Sequence, residues 1–121
     1  MEKFAGVELE RASLPSEQVV GVCDLVLREV RDAYDAGFVH ADMSQHNVAV
    51  AESGVTVFDW PQAVATDHEN ADEFLERDVT NVVSFFQQKY PQEMPDDVGY
   101  RALAAAIADG EFGSVAAFAA E

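Results

Sequence analysis

Residues 40–47 read HADMSQHN, and this short polar stretch decides how the rest of the chain is interpreted. It precedes two short apolar runs, at residues 48–51 and 55–58, that flank a glycine-containing turn. Two such runs around a turn are typical of a β-hairpin. Because a hairpin folds back on itself, we expect Asn47, just before the first strand, and Asp59, just after the second, to be neighbours.

An Asp and an Asn at one end of a hairpin offer the hard oxygen ligands that suit Mg²⁺ held partly by phosphates. Asp42 lies upstream of Asn47 and is then free to accept a proton or to position a nucleophile. Phosphoryl transfer needs this division, because the metal neutralises the phosphates while a carboxylate orients the attacking hydroxyl. The alternative is a loop of Asp and Asn residues that cap turns. We favour the chemical interpretation because the loop is coupled to a hairpin that ends in Asp59, and we expect His40 to anchor the loop.

A helix is predicted upstream of this loop, over residues 16–36. Ser16 is expected to cap it, and Gly37 supplies the left-handed residue that ends it. Cys23 lies on the apolar stripe of this helix, so we expect a buried small hydrophobic residue and not a nucleophile.

A second long helix is predicted from residue 67 or 68 to Tyr90, closed by Pro91. Asp78 lies on its apolar stripe, and a carboxylate placed there should be buried and needs hydrogen-bond donors. The alanine-rich remainder, residues 97–121, is expected to form two short helices broken near Gly110 and Gly113.

Three motifs in order, HADMSQHN, VFDWPQAV and HENADEFLERDVTNVVSFF, resemble those of the RIO-type atypical protein kinases, most closely their second subfamily. The resemblance runs from about residue 1 to residue 95. It implies an α+β fold, namely a protein-kinase-like C-terminal lobe that is mainly helical, with a small β-hairpin carrying the metal site.

By this resemblance Asp42 is the catalytic aspartate, and Asn47 and Asp59 hold the metal and the nucleotide phosphates. The backbone of Glu2 and Phe4 would meet the adenine edge. Three further matched residues are expected to support the loop: His40, Ser44 and Asp78. The implied cofactors are ATP and Mg²⁺ or Mn²⁺.

The resemblance also implies a wider role. In this family the metal-binding aspartate can itself accept phosphate, so an ATPase-like cycle through Asp59 is implied, as is a role in maturation of the small ribosomal subunit precursor. The residues contain no glycine-rich phosphate loop and no Val-Ala-x-Lys strand. We therefore expect residues 1–121 to be the C-terminal lobe, without the N-terminal lobe and winged-helix domain, and to have negligible turnover alone.

Besides a RIO-type kinase, two other functions are compatible with the loop, which makes three alternatives in all. Aminoglycoside and choline kinases are small-molecule phosphotransferases with a similar loop, and the Asp59-Trp60 pair favours them slightly. Two features favour the RIO type more strongly: the Pro61-Gln62 pair, and the short stretch of sequence from Asp59 to Arg77-Asp78. The third alternative is a non-catalytic lobe that binds a partner or supplies half of a split enzyme.

Composition limits the class of protein. With 121 residues, 49% of them hydrophobic, the chain is expected to form one domain with a real core. No apolar run approaches the roughly 20 residues that cross a bilayer, so no membrane partner is expected. The single cysteine, Cys23, suggests a reducing, cytoplasmic setting.

The charge is strongly negative, with 23 acidic residues against 7 basic ones and a net charge of −16. Such a charge repels phosphates, so direct nucleic-acid binding by this lobe is not expected. Lysine is scarce and small residues are abundant. This favours a halophile's protein, whose self-repulsion is screened by molar salt, over an acidic surface that serves only solubility.

Overall fold

The computed structural model describes residues 7–51, 54–58 and 63–118. The helices are α1 (Val19–Asp35), α2 (Ala71–Lys89) and α3 (Tyr100–Ala108). The strands are β1 (Val7–Glu8), β2 (Phe38–Val39), β3 (Val48–Ala51), β4 (Gly54–Val57) and β5 (Val64–Ala65). Single turns of 3-10 helix lie at Ser16–Gln18, Gln45–Asn47 and Val115–Phe118. The expected α+β class, with helices predominating, is confirmed.

The predicted hairpin is formed by β3 and β4, which pair antiparallel with Val48 opposite Val57 and Val50 opposite Val55. β1 adds to the other edge of β3, so the small sheet has the order β1-β3-β4. β2 and β5 form a separate antiparallel pair, which the sequence patterns did not predict because each strand has only two residues.

The core lies between the helices and the inner face of the hairpin. α1 buries one face along its length, and α2 and α3 pack against it. The core side chains that are less than 2% exposed include Cys23, Val26, Leu27, Val48, Val79, Phe86, Leu103 and Ile107. Each fully buried Val or Leu contributes about 1.5–3 kcal/mol relative to an exposed position.

Cys23 is a core residue, as predicted. Its side chain is completely buried. Burial, and secondly the neighbouring charge of Asp24, raise the pKa of the Cys23 thiol. The sulfur therefore stays protonated and acts as a small apolar group.

The helix ends agree only in part with the sequence prediction. Gly37 follows α1 with φ 103°, the left-handed stop that was predicted. The prediction that Ser16 caps this helix was wrong, because a 3-10 turn precedes α1 and no side chain caps either helical segment. α2 starts at Ala71, later than predicted, because a turn occupies residues 67–70, where the Asn70 N–H donates to Nδ1 of His68 at 3.0 Å.

The C-terminal part forms the two short helical segments that were predicted, α3 and the turn at 115–118, with Gly110 between them at φ 75°. The buried carboxylate of Asp24 on α1 accepts the Val115 N–H at 2.7 Å and fixes this segment to the core. Across the described residues, no helix has both the length and the apolar character that a bilayer span needs.

Candidate active site

The polar loop at residues 40–47 connects β2 to β3 and ends in a single 3-10 turn. Ser44 caps that turn, because its Oγ accepts the His46 N–H at 3.1 Å. The same hydroxyl donates to Oδ1 of Asn47 at 3.0 Å. Ser44 therefore closes the turn and orients the Asn47 amide with one group, which agrees with its predicted supporting role.

His40 anchors the loop from inside. It is only 2% exposed. The Asp42 N–H donates to its Nδ1 at 3.2 Å, so that nitrogen carries no proton. The other nitrogen, Nε2, lies 2.9 Å from the carbonyl oxygen of Phe58 and must be the donor. In this tautomer His40 joins the loop to the end of the hairpin, which is the arrangement that an anchoring role requires.

Asp78 reaches the loop from α2 and is completely buried. Its Oδ2 accepts the Ala41 N–H at 2.7 Å and its Oδ1 accepts the Met43 N–H at 3.1 Å. Burial raises the pKa of Asp78, and the two backbone hydrogen bonds, His40 and Arg77 act against that shift. The predicted burial of this carboxylate, and its need for donors, are confirmed.

Two further α2 residues hold the same loop by its carbonyl groups. Arg77 donates to the Ala41 carbonyl at 2.9 Å, and Asn81 donates to the Met43 carbonyl at 3.1 Å. The sequence pattern did not predict a role for either residue. The available signal was their spacing, since positions 77, 78 and 81 share one face of a helix.

Ala41 adopts a left-handed backbone conformation with φ 72°, the only non-glycine residue among the described ones to do so. For an L-residue with a Cβ this conformation costs about 1–2 kcal/mol. This conformation turns the backbone so that the N–H groups of Ala41 and Met43, on either side of Asp42, both point to Asp78. The strained residue is therefore held on its N–H side by Asp78 and on its carbonyl side by Arg77.

The side chain of Asp42 itself is exposed, whereas its flanking neighbours are buried. A carboxylate that faces solvent from a fixed backbone is suited to meet a substrate hydroxyl. The predicted catalytic residue is thus placed where a reactant can reach it.

Asn47 is 7% exposed, and its Oδ1 retains acceptor capacity beyond the bond from Ser44. Its backbone carbonyl accepts the Phe58 N–H at 2.9 Å, so the two strand ends lie side by side. A buried, oriented amide oxygen in the same loop as the exposed Asp42 fits one position in the coordination of Mg²⁺. Among the described residues, His, Cys, Asp and Glu form no group of three that could hold a metal ion.

Three of the predicted site residues, Glu2, Phe4 and Asp59, lie outside the described residues. The five others are brought to one loop and the helix that packs on it: His40, Asp42, Ser44 and Asn47 lie in the loop, and Asp78 lies on α2.

The chain is similar in sequence to a known protein family and to several of its members. A model of the RIO domain matches residues 1–98. The RIO-type serine/threonine-protein kinase Rio2 of Methanocaldococcus jannaschii is 35% identical over 102 residues, which are 80% of this chain and 37% of that protein. The Rio1 kinase of Haloferax volcanii is 43% identical over 65 residues, 53% of this chain and 22% of that protein. The chain thus spans little more than a third of the first of these relatives.

The fold is similar to that of a solved Rio2 kinase from Chaetomium thermophilum, described as an ADP/Mg²⁺-phosphoaspartate complex. The TM-score is 0.68 at 21% identity, and the match covers 94% of this chain and 36% of that one. This similarity confirms the kinase-like lobe. Together with the family model over residues 1–98 of 121, it confirms the resemblance of the motifs: the chain belongs to the RIO domain family.

Proposed function

We propose that this chain is the large lobe of an ATP- and Mg²⁺-dependent RIO-type serine/threonine protein kinase or ATPase. The observation that carries the proposal is the exposed Asp42 on a backbone whose flanking N–H groups both bind Asp78. Phosphoryl transfer depends on positioning more than on covalent chemistry, so a fixed carboxylate is what the reaction needs from this loop.

The roles of the residues follow from their chemistry. Asp42 accepts a hydrogen bond from the attacking hydroxyl and orients it. Asn47 and Asp59 would hold the metal, which neutralises the nucleotide phosphates when bound. The backbone of Glu2 and Phe4 would meet the adenine edge. His40 and Asp78 keep the loop in its active shape without touching the reactants.

The same proposal includes an ATPase-like cycle through Asp59 and a physiological role. A related protein was solved as a phosphoaspartate complex, which supports transient phosphate acceptance by Asp59. We assign the chain a cytoplasmic role in maturation of the small ribosomal subunit precursor. Contact with that precursor falls to the rest of the full-length protein, because this lobe carries a net charge of −16.

The family favours this function over a small-molecule phosphotransferase of the aminoglycoside or choline kinase type, because the RIO domain model covers residues 1–98. A non-catalytic lobe that binds a partner predicts a different experimental result, since it has no need for metal-dependent nucleotide binding.

Calorimetric titration with Mg²⁺–ATP tests the proposal, on the chain and on the full-length protein. Asp59→Asn should weaken metal-dependent binding, whereas Asp42→Asn should leave nucleotide binding near normal and abolish transfer of labelled γ-phosphate. Equal loss of binding in both variants would contradict the assigned roles. Full-length protein that folds and binds no nucleotide would support the non-catalytic alternative.

A further inference from the structure

A groove with a volume of about 490 Å³ lies between α2 and α3, away from the candidate active site. Its floor is apolar and made mostly of small side chains: Leu75, Ala104, Ala105 and Ala108. Its rim carries four carboxylates, and one guanidinium accompanies them: Asp72, Glu73, Glu76 and Asp109, with Arg101. The groove therefore combines an apolar floor with an acidic edge.

The outer face of α3 has no polar cover of its own. Arg101 is the only charged residue of this helix, in a chain with 25% charged residues. Ala105 is exposed and lies in the groove. A helix face of alanines lets a second helix approach closely, because no long side chain keeps the backbones apart.

Arg101 is the one cation among the described residues that line the groove, and it is loosely held. Arg101 has an 89% exposed side chain, and its Nε lies 3.7 Å from Oε1 of Glu76. An exposed pair of this length contributes little to stability. A lysine or arginine from another molecule can therefore take its place beside Glu76 without breaking a strong contact.

The groove continues along α2 toward the polar loop. A second cavity of about 380 Å³ shares Glu73, Glu76 and Arg101 with the first and adds Thr80 and Arg77. Arg77 is the residue whose guanidinium holds the Ala41 carbonyl. The far end of the groove thus adjoins a side chain that fixes the backbone next to Asp42.

We propose that this groove docks a basic amphipathic helical segment of a partner protein. The apolar side of such a segment would cover the alanine floor, and its lysines or arginines would meet the carboxylates of the rim. Nucleic acid is excluded as the occupant because the rim repels phosphates. A second copy is disfavoured because it brings the same net charge of −16 to the contact.

The proposal is independent of the proposed phosphoryl transfer, because docking needs neither nucleotide nor metal. The probe is a fluorescein-labelled helical peptide with lysines on one face and leucine and alanine on the other. Fluorescence anisotropy measures its binding at the lowest potassium chloride concentration at which circular dichroism shows the chain folded. A peptide with glutamate in place of every lysine should not bind.

Charge variants distinguish the effect of the groove carboxylates on peptide binding from the effect of the chain's overall charge. The groove variant neutralises three exposed rim carboxylates: Asp72→Asn, Glu73→Gln and Asp109→Asn. The matched control neutralises three exposed carboxylates outside the groove: Glu17→Gln, Asp32→Asn and Asp35→Asn. Both variants change the net charge equally. We expect about tenfold weaker binding for the groove variant and less than about twofold for the control. Equal weakening would overturn the proposal.

A floor variant tests the apolar contact. Ala105→Glu makes the chain more acidic and should still weaken the peptide about tenfold or more, because docking would bury an unpaired carboxylate. The same substitution at Ala102, which is exposed on α3 but does not line the groove, should not weaken binding. Unchanged binding by Ala105→Glu, or no binding by the unaltered chain, would overturn the proposal. Dimers in sedimentation equilibrium that Ala105→Glu abolishes would instead assign the groove to a second copy.

Discussion

The carboxylate of Asp78 binds the backbone on both sides of Asp42: Oδ2 accepts the Ala41 N–H at 2.7 Å, and Oδ1 accepts the Met43 N–H at 3.1 Å. Both oxygens are needed, because each serves a different N–H. A helix distant in sequence thereby sets the backbone of the loop, and the exposed Asp42 side chain is positioned by a residue that it does not touch.

Asp78→Asn should destabilise the fold by about 2–3 kcal/mol, because an amide has one oxygen and its NH₂ group would face a second N–H donor in a buried site. Chemical denaturation followed by circular dichroism measures the free energy of unfolding. Asp35→Asn is the control, since Asp35 is exposed and its change should stay within about 0.5 kcal/mol. Similar effects at the two positions would contradict the role given to Asp78.

Asn81→Ala should cost about 1–2 kcal/mol, because it leaves the Met43 carbonyl without the donor that lies at 3.1 Å. Asn81→Asp should cost more, since a carboxylate oxygen would then face that carbonyl. The same denaturation assay measures both. Asn70→Ala is the matched control, because the Asn70 side chain makes no capping hydrogen bond at the start of α2. If Asp at position 81 were tolerated better than Ala, the assigned hydrogen bond would be wrong.

How far the sequence could predict this site is clear from α2. The charge of Asp78 on an apolar stripe predicted a buried carboxylate in need of donors, and that prediction is confirmed. The helical period does not reveal which backbone groups Arg77 and Asn81 would meet, because their partners lie 36 and 38 residues away. Such contacts depend on how the loop and helix pack, which no local pattern encodes.

The same limit applies to the strands and helix ends. The β3–β4 hairpin was predicted because its two runs flank a turn, whereas β1 joins β3 through a pairing distant in sequence. The start of α2 was placed too early because the turn before it depends on His68, whose ring nitrogen accepts the Asn70 N–H. Side-chain bonds of this kind override the weak preference of a residue for a helix.

Ala41→Gly should stabilise the fold by up to about 1 kcal/mol. Glycine adopts a φ of 72° without the strain of about 1–2 kcal/mol that alanine carries there. The loss of a buried methyl group offsets this by about 0.8 kcal/mol. Ala102→Gly, at an exposed position of α3, should instead cost about 1 kcal/mol. Thermal or chemical unfolding compares the two variants, and equal destabilisation would refute strain at Ala41.

The stability of the whole chain should rise between low and molar potassium chloride, because the net charge of −16 makes the folded state repel itself. Screening acts over about 10 Å at 0.1 M salt and about 3 Å at 1 M, so most of this repulsion is removed within that range. The free energy of unfolding, measured by urea titration at each salt concentration, gives the slope. The variant with Glu17→Gln, Asp32→Asn and Asp35→Asn has three fewer charges and should show a shallower slope. A stability that does not rise with salt would remove the halophilic interpretation of this composition.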